Sequence, residues 1–310
     1  MYLLGEEICP KTSQRWLELH GFSLSKPLTT YEVKAKSDRE TMTKLYTNLK
    51  ILCQYGQYPD SLVFNMDETW VSIEQKQPKG CVVHMADTPP ISFQPTEGKR
   101  VTLIACISNN AIDVPPVYIL QTYLTDDGIE RIHGLHGIKT FYQRSGFMTN
   151  EIMLNWLVQV LIPHVNTRRS RNQHALLICN ALLSRHNASV WNVLKANNTD
   201  MLVLPAHVTS IVQLPDVGIF AQYKQQFRDI CKGKGGVYRL LQASVISFEM
   251  ATNCVAIDKA WDKSKLFSPD WIGYVNSFPE QPFTLATAHI RRSKANYIVI
   301  SLSNESLGWV

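Results

Sequence analysis

Six consecutive residues, Ala175-Leu176-Leu177-Ile178-Cys179-Asn180, restrict the folds open to this chain more than any other stretch. Four apolar residues in a row, Ala175 to Ile178, followed at once by Cys179 and Asn180, read as a strand buried on both faces whose last residues emerge at its carboxyl edge. Helical periodicity surrounds it: residues 149–162 place Ile152, Trp156, Leu157, Val160 and Leu161 on one broad face behind a capping Thr149, and residues 184–197 repeat the pattern with Val190, Trp191 and Leu194. A buried strand between two helices requires a sheet with helices on both faces. Open sheets of this type bind ligands beyond the carboxyl ends of their strands. That rule makes Cys179 a candidate site residue, together with Asp67 after the run 62–66 and Asp216 in the loop after the run 201–204.

From residue 62 to residue 120 the spacing is strand-like. Runs 62–66, 80–84, 101–107 and 117–120, joined by polar turns, read as an antiparallel meander. After the run 201–204 the spacing predicts a helix over 216–230, with Val217, Phe220, Tyr223 and Phe227 on one side. Helices are expected over 12–20 and from 37 to about 54, and again over 237–247 and 252–264, with a further turn at 269–278; residues 296–302 read either as a strand or as a tail. The expected class is α/β, a mixed sheet with helices on both faces plus helical N-terminal and C-terminal extensions. Its expected divisions are a helical preamble 1–60, a sheet domain 61–231 and a helical extension 232–310.

Among the 310 residues 45% are hydrophobic and 18% charged, a composition that favours a packed core over disorder. The net charge of +5 is compatible with a nucleic-acid partner without demanding one. No apolar run approaches the roughly 20 residues that span a bilayer, so no membrane partner is expected. The opening Met-Tyr-Leu-Leu-Gly-Glu-Glu lacks a basic region, and no secretory signal is expected. Seven cysteines without a Cys-x-x-Cys pair suggest thiols in a reducing compartment.

Several motifs follow one another in a fixed order: Asn65-Met66-Asp67-Glu68-Thr69, Lys99-Arg100-Val101-Thr102, Val114-Pro115-Pro116, the run ending in Cys179-Asn180, His186, Leu204-Pro205-Ala206-His207, Gln213-Leu214-Pro215-Asp216-Val217-Gly218, Lys224 and Lys259-Ala260-Trp261-Asp262. Over residues 12–278 this series resembles the DDE superfamily endonucleases of the pogo, Tigger and Jerky branch of transposases, which includes centromere protein B-like members. The resemblance implies a ribonuclease H-like fold, three acidic residues holding two Mg²⁺ or Mn²⁺ ions, DNA as partner, and a nuclear location; it leaves homo-oligomerisation open. It places Asp67 and Asp216 at the first and third acidic positions and Cys179 at the second. Residues 12–27 resemble the end of the family's second helix-turn-helix module and its connector.

Two-metal phosphoryl transfer holds its ions roughly 3.5–4 Å apart on carboxylates, and Mg²⁺ takes oxygen ligands at about 2.0–2.1 Å. A thiol is neutral at pH 7 unless activated, and soft even when ionised. Cleavage is therefore expected to be impaired, the more so because Pro215 directly precedes Asp216 and restricts the backbone there. On a regular strand Asn180 faces away from Cys179, and Glu68 away from Asp67. Two rivals stand beside this reading: an active nuclease with a substitute ligand, and a domesticated protein-interaction module. Lys99, Arg100, Arg168, Arg169, Arg171 and Lys224 are candidate phosphate contacts. The Arg168–Arg171 and Arg291-Arg292-Ser293-Lys294 runs both read as phosphate contacts or, by default, as solvated charge, and His133 with His136 as a surface loop.

Overall fold

The computed structural model describes residues 2–3, 6–7, 15, 18–20, 22–25, 28–29, 39–72, 81–84, 91–92, 99–108, 114–130, 137–182, 187–205, 208–231, 236–278 and 300–301. By their contacts the residues form two compact units, one of Met1–Ala35 with Glu74–Glu97 and one of Lys36–Ile73 with Gly98–Val310. The segment 1–60 is thus shared between the units, and the segment 61–310 also contributes to both.

In the larger unit, helix α1 (Arg39–Gly56) precedes strands β1 (Val63–Ser72), β2 (Arg100–Ser108), β3 (Val117–Leu120) and β4 (Lys139–Tyr142). Helices α2 (Asn150–Trp156) and α3 (Ile162–Arg168) lead to β5 (Ala175–Asn180), α4 (Ala188–Ala196) and β6 (Thr199–Leu204). Helices α5 (Phe220–Ile230), α6 (Val237–Ala251), α7 (Cys254–Ser264) and α8 (Trp271–Asn276) follow, and β7 (Ile300–Ser301) ends the series. The strands form one mixed sheet in the order β4-β3-β2-β1-β5-β6-β7. Strands β1, β5 and β6 run parallel, β2 is antiparallel to both β1 and β3, and β7 is antiparallel to β6.

Alternation along the strands divides the apolar side chains between two faces. Phe64, Met66, Leu177 and Cys179 pack with Met153, Trp156 and Leu157 of the α2 region and with Val190 and Leu194 of α4. The opposite face carries two separate clusters. Leu103, Ala105 and Tyr118 of β2 and β3 meet Phe220, Tyr223 and Phe227 of α5 and Leu240 and Leu241 of α6. Val63, Leu176 and Ile178 meet Leu45 and Leu49 of α1 and Val275 of α8. Helices therefore cover both faces, as the sequence predicts, and the second face has a seam between its two apolar regions.

The helix expected over 149–162 continues to Arg168, but through a π turn at Leu157–Leu161. Pro163 supplies the reason: it has no N–H to donate and its ring clashes with the carbonyl four residues back in a regular helix. That carbonyl, of Gln159, lies 3.4 Å from Lys139 Nζ. Thr149 caps α2 by accepting from Ile152 N at 3.2 Å. The meander loses one expected member. Cys81–His84 pairs with Phe22–Ser25 in the smaller unit, where Tyr2–Leu3 also pairs with Glu6–Glu7 and Leu28–Thr29 with Ile91–Ser92. Arg15, Glu18 and Leu19 are helical, while Thr12, Ser13 and Trp16 lie outside the described residues. Among the described residues no single helix is long and apolar enough to cross a membrane.

Candidate functional site

Asp67 lies in the interior of β1, not at a tip, because the strand runs on to Ser72. It is 4% exposed. Opposite it on β2 stands Ala105, and one residue earlier Met66 lies between Cys106 of β2 and Cys179 of β5. Neighbours across a sheet share a face, so Cys106, Met66 and Cys179 form one buried row on the α2 side. The expectation that Cys179 stands among the acidic residues is therefore corrected: its thiol fills apolar core. The next residue comes to Asp67 instead. Asn180 Nδ2 donates to Asp67 Oδ1 at 2.7 Å.

A second element reaches the same place from the loop after β6. One helical turn, Thr209–Val212, ends at Gln213, whose φ of −77° and ψ of 112° are extended. The Gln213 side chain is buried and its Nε2 donates to Met66 O at 3.0 Å, which fixes the loop on β1. Leu214 then adopts helical angles directly before Pro215, a combination that proline sterics disfavour. Full burial of Leu214 in the α5–α6 cluster holds it there. Pro215 opens a π turn, Pro215–Ile219, on which Asp216 is exposed. Proline suits the first turn of a helix, where its missing N–H costs nothing.

Lys224 of α5 joins these groups. Burial lowers its ammonium pKa, and the carboxylates of Asp216 and Asp67 both act to raise it, with Arg228 opposing them. The structure thus brings Asp67, Asp216 and Lys224 into one electrostatic neighbourhood, together with Asn180 and Gln213. Asn65 shares the Asp67 face of β1, and both its amide atoms, Asn180 Oδ1 and Gln213 Oε1 are buried without a hydrogen-bond partner among the described residues. Buried polar atoms are normally paired. A row of amides at the seam is what the sequence reading missed, and the signal was the two-residue alternation linking Asn65 to Asp67 and Ile178 to Asn180.

The candidate basic residues separate. Lys99 is exposed at the start of β2. Arg100 is 7% exposed, which corrects its expected role as a phosphate contact. Its guanidinium lies 3.8 Å from the centre of the Phe147 ring and donates to Ser145 O, so it serves packing. Arg168 and Arg171 are exposed and Arg169 is half-buried, donating to Asn197 O; all three precede β5, at the end of that strand remote from Asn180. His133, His136, His186, His207 and the Arg291–Lys294 run lie outside the described residues.

Does the donor set fit the divalent ions that the resemblance implies? Among the described residues no group of three His, Cys, Asp or Glu side chains is arranged to hold a metal. Asp67 meets the donor edge of a neutral amide, Asp216 stands exposed, and an ammonium shares the neighbourhood. This set is one carboxylate short of a two-metal site.

A family model described as "DDE superfamily endonuclease" matches residues 98–264. "Pogo transposable element with KRAB domain" from Homo sapiens is 26% identical over 166 residues, covering 53% of this chain and 26% of the relative. The Mus musculus protein of the same name is 24% identical over 217 residues, covering 69% of this chain and 34% of the relative. The chain spans about a quarter to a third of the length of these relatives. Among solved structures, the Mos1 mariner paired end complex with Mn aligns with a TM-score of 0.50 at 14% identity, covering 87% of this chain and 71% of that one. A pre-cleavage Mos1 transpososome gives a TM-score of 0.50 at 14% identity, over 78% and 65%. These two likenesses bear on the fold alone.

Proposed function

The chain belongs to the DDE superfamily endonucleases, and from that premise we propose that it is a transposase-derived domain that binds DNA and has lost efficient phosphodiester cleavage. One observation carries the reading: the side chain that β5 brings to Asp67 is the amide of Asn180, not a carboxylate. A two-metal reaction uses shared carboxylates to neutralise ions that activate the attacking oxygen and stabilise the leaving one. Here the amide proton and the Lys224 ammonium compensate part of the Asp67 and Asp216 charge without an ion.

DNA as partner is supported by the family, by the net charge of +5 and by exposed Lys99, Arg168 and Arg171. Nuclear residence and self-association belong to the same proposal. A nicking assay on supercoiled DNA with Mg²⁺ or Mn²⁺ tests it, with Asp67→Ala as control. The expected result is no metal-dependent nicking above that control. Robust nicking by the unaltered chain that disappears in Asp67→Ala would return the active nuclease with a substitute ligand. DNA affinity indifferent to salt would favour the protein-interaction module, because phosphate contacts weaken steeply as salt rises.

A further inference from the structure

We infer that the cleft between the π turn at Pro215–Ile219 and helix α7 is a groove for the phosphodiester backbone of DNA, an assignment that rests on the DNA-binding reading above. The cleft encloses about 350 Å³. Val217, Gly218 and Gln222 form one wall, and Asn253, Lys259 and Lys263 stand on the other. Both lysines are exposed. They are four residues apart on α7, hence one turn and about 5–6 Å apart on the same stripe. Among the described residues no acidic side chain lines the cleft. Asp258 and Asp262 are exposed on the adjoining flank of α7, and Asp216, just before Val217, acts on Lys224 in the seam.

The lysines are presented from a fixed support. Ile257 and Ala260 of α7 are buried, and Trp261 Nε1 donates to Ser108 O at 3.0 Å, which pins the helix to β2. Gly218 lets the two walls meet: a Cβ built there would lie 2.2 Å from Ala260 Cβ and 2.8 Å from its Cα. The result is a cationic trough whose lining also carries Val255, Ala256 and Ala260. Asn253 and Gln222 add uncharged hydrogen-bonding side chains, which suit phosphate oxygens and carry no base preference.

Fluorescence anisotropy of a labelled duplex across a KCl series tests the groove, using the full chain, Lys259→Ala, Lys263→Ala, the double variant, and Lys50→Ala on α1 as an exposed control outside the cleft lining. Each lysine removed from the cleft should reduce the slope of log affinity against log salt by about one, and the double variant by about two. The loss should be similar for unrelated duplex sequences, and Lys50→Ala should keep the parent slope. If the parent binds DNA with a steep salt slope and the double variant, folded by its melting curve, keeps that slope, the groove is refuted while DNA binding stands. If the parent shows no salt-dependent binding, the DNA reading fails and the groove with it.

Discussion

Asn180 gives Asp67 a proton donor at the point where a metal-bridging carboxylate would be needed. Substituting Asn180→Asp should therefore create a strong demand for a cation, because two carboxylates at hydrogen-bonding distance repel. Thermal melting with and without Mn²⁺ checks this: the variant should gain about 2.7 kcal/mol at an ion concentration one hundred times its Kd, and the unaltered chain should gain nothing comparable. Cys179→Asp has the opposite expectation. It buries a carboxyl in the row with Cys106 and Met66 and should cost roughly 3 kcal/mol or more without Mn²⁺ rescue. A stable Cys179→Asp that binds Mn²⁺ while Asn180→Asp does not would reverse the assignment. The motif order points to Asp67 and Asp216 as site residues and to Lys224 as a phosphate contact; that the three share one neighbourhood emerges only from the structure. The motif order misplaced Cys179 because a motif counts residues, whereas the phase of the pleat decides faces, and that phase is set by the register of Met66 against Cys179.

At the level of elements, two π turns do different work. The turn at Leu157–Leu161 accommodates Pro163, while the turn at Pro215–Ile219 carries Asp216 and brings Gly218 against α7. Gly218→Ala should destabilise by about 1–3 kcal/mol, measurable by urea unfolding, since Ala260 offers a backbone atom and a short side chain that cannot turn aside. An unchanged midpoint would mean that α7 shifts freely, against the anchoring by Trp261. Most elements of the larger unit could be read in advance. Strand β5 was betrayed by its unbroken apolar run, and α2 and α4 by Trp156, Val190 and Leu194 on one stripe. Strand β4 could not, because Lys-Thr-Phe-Tyr is a largely half-buried edge segment with little alternation and owes its existence to pairing with β3. Cys81–His84 was legible as a strand but not its partner, since strand pairing depends on the register of distant residues.

For the molecule as a whole, the decisive pairing is that of Ser72 with Arg100, the last residue of β1 and the first of β2. Twenty-seven residues separate them in sequence, and the two ends stand opposite each other on neighbouring strands. Replacing residues 73–99 by a two-residue Asn-Gly turn should leave the larger unit folded, with its sheet signal in circular dichroism and a cooperative melt retained. Loss of cooperative melting would show that the sheet depends on the excised segment. The deletion removes the strand partners of Phe22–Ser25 and Leu28–Thr29, so the smaller unit is expected to lose those ladders. The same pairing also governs what can change over evolutionary time. A segment whose two ends are already held side by side costs only about 0.6 kcal/mol more for each doubling of its length, so the length of the connection from Ser72 to Arg100 can change while the sheet register at Asp67 is kept.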